Sequence, residues 1–213
     1  MLHIYNFVRG ARGLRIMWQC EEMGLPYAVE VLTYPVSGAY RELNPLGTVP
    51  FLRDDAGGAS LGESLAILQY LARRYGPTPL LPGADDPSLA RCLEMTEFGE
   101  ATLGAALNPL IATRFAAPED GKRNWSTSYL EERMAAAVGY VQHRLGAAPF
   151  LAGATFTLAD ISVVPALLMW RGIFSGVLPD PVADYVERAV ARPAYQRARA
   201  RCDARSGSSP ASA

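Results

Sequence analysis

Asn44-Pro45-Leu46-Gly47-Thr48-Val49-Pro50-Phe51-Leu52, followed by Leu61-Gly62-Glu63-Ser64-Leu65-Ala66-Ile67, decides how the rest of the chain folds. A turn-forming segment feeds a short apolar strand, a polar hairpin follows, and a helix opens on Glu-Ser. Proline has no backbone N–H, so Pro50 fits the first position of a strand and not its middle. A proline in so tight a bend is also a candidate for a cis peptide bond. Val49 is then held extended and offers its N–H and C=O outward like a sheet edge, a mode that suits an extended peptide. Ser64 stands where the next helix begins, and helix amino termini bind carboxylates. Together these features make a site for a small peptide with a free carboxylate. Taken singly, the pieces read as an ordinary Pro-started strand and an ordinary capping serine.

Around this stretch the chain reads as two domains. Leu2 to Asn6 is strand 1, and Phe7 to Gly13 is an Arg- and Gly-rich loop. Leu14, Met17, Trp18 and Glu21 keep helical spacing, and Gly24 with Pro26 stops that helix. Tyr27 to Leu32 alternates as strand 2. Tyr34 to Leu43 is irregular with about one helical turn. After strand 3, Asp54 to Ala59 forms a hairpin into a brief strand 4. Helix 3 runs from about Glu63 to Tyr75, with Ile67, Leu68, Leu71 and Ala72 on one face. The order β-α-β then β-β-α predicts a mixed sheet with helices on its faces. Residues 1–76 form this α/β domain, and 77–86 form a stiff Pro-rich linker.

From 87 to 202 the pattern is all-helical. Leu89 to Phe115 is one long helix, or a helix kinked at Pro109. Ser126 to Leu145 is a second. Thr157 and Asp160 form a capping-box arrangement at the start of a helix apolar nearly all round. Both are therefore expected to be structural. Two shorter helices follow, near Pro181 to Ala191 and Pro193 to Arg201. The Ser-, Ala- and Gly-rich stretch 203–213 reads as a disordered tail.

Composition narrows the partners. At 213 residues there is ample chain for a core. A net charge of −1 gives nucleic acid no electrostatic hold. The longest apolar runs, such as Ile161 to Trp170, are far short of a membrane crossing. Met1 to Tyr5 leads straight into a strand, without the pattern of a signal peptide. Cys20, Cys92 and Cys202 are odd in number and contain no Cys-x-x-Cys. Neither a disulfide framework nor a metal site is expected, and a reducing cytoplasm is the natural setting. Of the 20 Lys and Arg residues only Lys122 is lysine, a bias associated with GC-rich bacterial genomes.

The pattern resembles the cytosolic glutathione transferase family. Val49-Pro50 and Glu63-Ser64 look like its cis-Pro strand start and the opening of its third helix. Glu21-Glu22-Met23-Gly24-Leu25-Pro26-Tyr27 resembles its turn from helix 1 into strand 2, and Phe156 to Ser162 resembles its second-domain capping motif. The resemblance implies a thioredoxin-like amino-terminal domain followed by an all-α domain, with pairing as a homodimer through helix 3 and the long helix. It implies glutathione as co-substrate and a small, largely apolar electrophile as the second substrate, without a metal. The implied glutathione-binding residues are Val49, Pro50, Glu63 and Ser64.

The implied reaction adds the glutathione thiolate to the electrophile. A thiol ionises near pH 8.5, so a hydroxyl donor, N–H groups or a cation must favour the anion. The family places that group at the end of strand 1 or in the following loop, as Tyr, Ser or Cys. Here the serine-type position holds Ala11 and the cysteine-type position holds Arg12. Counted from the strand, Tyr5 with Val8-Arg9-Gly10 keeps the spacing of the tyrosine type, with one residue missing before Arg15. Tyr5 is the first candidate, Arg12 the second as a charge, and Asn6 the third as an amide donor. The electrophile pocket is expected among Phe7, Val8, Leu107, Ile111, Arg114, Phe115 and Trp125, with Arg114 favouring anions. Two alternatives stay open. One is a non-catalytic glutathione-binding protein of the same fold. The other is a glutathione-dependent isomerase, dehalogenase or ether-cleaving enzyme.

Overall fold

A computed structural model describes residues 1–204 of the chain. They form two compact units: Met1–Thr78 together with the segment from Ala191 onward, and Pro79–Val190.

The first unit is built on a four-stranded sheet in the order β2-β1-β3-β4, with β1 (Leu2–Phe7), β2 (Tyr27–Leu32), β3 (Phe51–Asp54) and β4 (Ala59–Leu61). β1 runs parallel to β2 and antiparallel to β3. α1 (Ala11–Met23) connects β1 to β2, and α3 (Ser64–Arg74) follows β4. Both helices bury apolar stripes: Leu14, Met17 and Trp18 on α1, and Ile67, Leu68 and Leu71 on α3, all at most 2 % exposed together with Ile4 and Leu52 of the sheet. Gln19 Nε2 donates to the Leu68 carbonyl at 2.8 Å and ties the two helices. The short α2 (Gly38–Leu43) is capped by Ser37 and sets Tyr40 against the ring of Tyr5, 5.5 Å between centroids. The Asp54 carboxylate closes the β3–β4 hairpin. It accepts from the N–H groups of Ala56 and Gly57 and from the hydroxyls of Tyr70 and Tyr75, the last two at 2.7 Å.

α9 (Pro193–Asp203) completes this unit. The sequence reading assigns it to the helical domain; in the structure it packs along α1. Trp18 meets Tyr195 edge-on at 4.8 Å. Glu22 takes a two-pronged contact from Arg192 at 2.6 and 2.7 Å, and Glu21 accepts from Arg197 at 2.6 Å. The fork geometry of arginine suits such paired contacts. α9 also includes Asp203, which the sequence reading gave to the tail; 205–213, the rest of that predicted tail, lie outside the described residues.

The second unit holds α4 (Leu89–Ala101), α5 (Leu103–Ala116), α6 (Trp125–Leu145), α7 (Leu158–Phe174) and α8 (Asp180–Val190). α7 is its central helix, buried on all sides from Leu158 to Leu167. Gly99 of α4 lets α7 approach: a Cβ there would sit 2.2 Å from Ser162 Oγ. The predicted break at Pro109 falls elsewhere. α4 and α5 part at Thr102, while Pro109 lies inside α5. The ladder continues across the joint, from Thr102 N–H to Phe98 C=O and from Ala106 N–H to Thr102 C=O, so the joint is a bend and not a gap.

Asp160 is the polar centre of this unit. Its Oδ2 accepts from the Thr157 N–H at 2.8 Å and the Thr157 hydroxyl at 3.3 Å. Its Oδ1 accepts from the Leu151 N–H at 3.0 Å and the Tyr185 hydroxyl at 2.9 Å. One fully buried side chain thus fastens the start of α7, the preceding loop and α8. Burial pushes its carboxyl up to about 6, against the downward pull of those donors.

Candidate functional site

Strand register gathers the sequence-predicted residues of the first unit at one end of the sheet. The pairing Leu52↔Leu61 sets the start of β3 beside the end of β4, so Val49-Pro50 and Glu63-Ser64 share that end. The pairing Tyr5↔Phe51 brings the carboxyl end of β1 there too, and α1 begins directly after it. Two helix amino termini, α1 and α3, therefore open at the same end. The first N–H groups of any helix lack partners within it, and its dipole is positive there.

The Val49–Pro50 bond is cis. Tyr40 donates its hydroxyl to the Thr48 carbonyl at 2.6 Å, and Asn44 Nδ2 donates to the same oxygen at 2.8 Å. The backbone entering Val49 is thereby pinned from α2. Ser64, 3 % exposed, is the first residue of α3, and its hydroxyl accepts from Arg15 Nη1 at 3.0 Å. Arg15 is itself buried, at 3 % exposure, within the otherwise apolar run of α1. The sequence reading used Arg15 only as a counting mark and missed its place here. The available signal was a cation inside Leu14-Arg15-Ile16-Met17-Trp18, where an arginine is buried only if something holds it. Exposed Glu63 takes φ 59°, a conformation side chains rarely adopt, and Arg9 at the β1–α1 turn takes φ 60°. Such strain, about 1–3 kcal/mol each, gathers at functional sites.

The β1–α1 loop is shorter than the sequence reading has it. α1 starts at Ala11, with Gly10 as its cap, so Arg12 lies in the first helical turn. The cause is a tertiary contact. Asn6, 1 % exposed, points inward beneath the loop, and its amide donates to the Gly10 carbonyl at 3.1 Å. A Cβ at Gly13 would sit 2.2 Å from Asn6 Cγ, so the glycines leave room for Asn6 and do not unwind the chain. Asn6 is thus occupied in building the loop. α9 holds the loop from outside: Arg9 N–H donates to the Cys202 carbonyl at 2.9 Å, and Asn6 Nδ2 reaches Cys202 Sγ at 3.7 Å.

Tyr5 is half-buried on the opposite sheet face from Ile4, in an aromatic trio with Tyr40 and Phe51, the latter at 6.2 Å. Phe7 ends β1 against Tyr34, and Val8 is 36 % exposed. Cys20 and Cys202 are buried thiols. Burial pushes the first far up and the second to about 11, so both stay protonated at neutral pH.

The expected pocket residues of the helical unit have varied surroundings. Leu107 is 1 % exposed and is a core residue; Ile111 is half-buried; Arg114 is exposed. Phe115 is 71 % and Trp125 78 % exposed, and Trp125 stacks on Tyr129 at 5.4 Å. Thr157 and Asp160 form the α7 cap already described.

Comparison with known proteins identifies the architecture. Residues 5–79 match the family described as glutathione S-transferase, N-terminal domain, and residues 103–202 match its C-terminal domain. Glutathione S-transferase 3 of Schizosaccharomyces pombe is 29% identical over 178 residues, 74% of this chain and 69% of that protein. The crystal structure of a glutathione transferase from Methylococcus capsulatus superimposes with a TM-score of 0.81 at 26% identity, covering 95% of this chain and 98% of the other. A glutathione transferase from Burkholderia graminis, with two glutathione molecules bound per subunit, gives 0.78 at 24% identity over 92% and 86%. The chain belongs to the glutathione S-transferase family.

Proposed function

We propose that this protein is a glutathione transferase that binds glutathione at the gathered end of the sheet and adds its thiolate to a small electrophile. The observation that carries the reading is the Arg15–Ser64 contact of 3.0 Å at the amino end of α3, at the same end as the Val49–Pro50 bend. A carboxylate held there meets a hydroxyl, helix N–H groups and the positive end of a dipole. The γ-glutamyl carboxylate is assigned to Ser64, with Glu63 beside it. The cysteinyl backbone is assigned to Val49, whose carbonyl and N–H are presented by the pinned turn at Thr48 and Pro50.

Tyr5 is proposed to favour the thiolate by donating its hydroxyl to sulfur. The aromatic trio with Tyr40 and Phe51 holds its ring. Arg12 and the first N–H groups of α1 are the second possibility, supported by the start of that helix at Ala11. Either leaves the electrophile unspecified. A homodimer in a bacterial cytoplasm, serving detoxification, accompanies this reading as expectation.

The test is turnover against a panel of electrophiles with and without glutathione, combined with thiolate absorbance on the parent, Tyr5→Phe and Arg12→Ala. Glutathione-dependent turnover with an alkaline shift in Tyr5→Phe is the expected outcome. A shift in Arg12→Ala alone moves the role to the helix start. Glutathione binding without turnover in the parent overturns the catalytic reading.

A further inference from the structure

The Thr48 carbonyl and the Val49 N–H belong to one peptide unit, which is planar and trans. In such a unit the C=O and the N–H point in opposite directions. Whatever holds the Thr48 oxygen therefore aims the Val49 N–H. Tyr40 and Asn44 hold that oxygen at 2.6 and 2.8 Å. A carbonyl oxygen has two lone pairs to offer, and both are used here by donors on α2 and at its carboxyl end. The Val49 N–H is thereby aimed away from α2.

Tyr40 is itself firmly placed. It is 4 % exposed, with its ring edge-on to Phe51 at 6.5 Å and tilted against Tyr5 at 5.5 Å. Its N–H donates to Ser37 Oγ at 3.2 Å, and its carbonyl accepts from the Asn44 N–H at 2.8 Å. Its hydroxyl also accepts from Asn44 Nδ2 at 3.3 Å, which joins the two donors into one unit. A phenylalanine would fill the same space among these rings. The hydroxyl is thus the atom that packing does not require, and a buried phenol needs a partner for it. Burial pushes this phenol up, so at neutral pH it remains a donor.

We propose that Tyr40 is a positioning residue for glutathione: its hydroxyl, acting through the Thr48 carbonyl, turns the Val49 N–H toward the cysteinyl carbonyl. The inference rests on the assignment of the cysteinyl backbone to Val49, and it adds a group that acts without touching the tripeptide.

The test compares the parent with Tyr40→Phe and Tyr70→Phe. Tyr40→Phe keeps the buried ring and with it the packing of α2. Tyr70→Phe is the control, because it also removes a hydroxyl bonded within this unit, but one that donates to Asp54 and not to Thr48. Each protein is titrated with glutathione in a calorimeter, and the Val49 resonance is followed in backbone amide NMR spectra without ligand. Tyr40→Phe is expected to weaken glutathione binding by about threefold to tenfold and to move the Val49 resonance. Thiol ionisation of bound glutathione, read by thiolate absorbance, should stay at the parent position, because the ring beside Tyr5 remains. Tyr70→Phe should change none of these. An unchanged dissociation constant in Tyr40→Phe, a stationary Val49 resonance, an equal loss in Tyr70→Phe, or an alkaline shift of the thiol in Tyr40→Phe each overturns the proposal. A parent that binds no glutathione overturns the reading of the site as well, whereas binding in the parent that Tyr40→Phe leaves intact overturns this inference alone.

Discussion

Replacing Asp160 by alanine tests the helical unit at its centre. The substitution removes the acceptor from the Leu151 N–H, the Thr157 N–H and the Tyr185 hydroxyl, on residues that are each fully buried. An orphaned buried donor costs about 1–3 kcal/mol, so three cost roughly 6 kcal/mol at mid-range. Against this stands relief of a buried charge. The carboxyl rises from an ordinary 3.8 to about 6, a shift of roughly two units or about 3 kcal/mol. The net loss expected at pH 7 is therefore about 3 kcal/mol, more than the roughly 1 kcal/mol of a simple helix cap.

The sign of the pH dependence follows from the same shift. A carboxyl whose folded-state value is raised adds stability that is fully present below 3.8 and is lost as pH rises through about 6. The gap between parent and variant should therefore widen by up to about 3 kcal/mol as pH falls from 7 toward 4. Urea unfolding of both proteins in steps from pH 7.5 to 4.5, with m-values compared, gives the gap directly. A gap that narrows toward acid pH would show that the donors outweigh burial. A loss below about 1 kcal/mol would refute the central role of the side chain. Glutathione affinity measured on the folded variant should stay near the parent value, because Asp160 lies in the other unit from Ser64.

Ser64→Ala should weaken glutathione binding by about tenfold or more in calorimetry, since hydrogen bonds to charged groups are worth about 1.5–3 kcal/mol; an unchanged dissociation constant would refute the assignment. Glu63→Gly should relieve the φ of 59° and raise the unfolding midpoint, whatever it does to binding; a lower midpoint contradicts the strain. Gly13→Ala gains about 1 kcal/mol of helix propensity but forces a methyl into Asn6, costing about 1–3 kcal/mol, so a net loss on urea unfolding is expected. Asp54→Ala should cost about 2 kcal/mol or more by stranding the tyrosine hydroxyls and turn N–H groups it now accepts from, again read by urea unfolding.

What could be read from the sequence depended on how local its cause was. Strand 2 and helix 3 were legible because Pro, Gly and regular apolar spacing bound them within a few residues. The Val49-Pro50 and Glu63-Ser64 pieces were legible for the same reason. The start of α1 was not, because Gly13 reads as a loop residue unless one knows that Asn6 lies beneath it. Pro109 misled in the opposite direction: its expected break is tolerated inside α5, and the bend at Thr102 carries no breaker residue. The place of α9 is set by Glu21, Glu22 and Trp18, more than 160 residues away, and no periodicity within α9 encodes that. Arg15 was visible only as an anomaly in an apolar run.

The grip of α9 on the β1–α1 loop has a consequence for the order in which the molecule is made. Gly10 and Cys202 are in contact across 192 residues of chain. While the protein emerges from the ribosome, the sheet and α1 are free to assemble early, since domains fold as units during synthesis. The turn carrying Val8, Arg9 and Gly10 nevertheless waits without its outer clasp until α9 arrives. A nascent chain stalled before Cys202 would carry Ser64, Val49 and Tyr5 and still lack the fastening that sets the loop beside them.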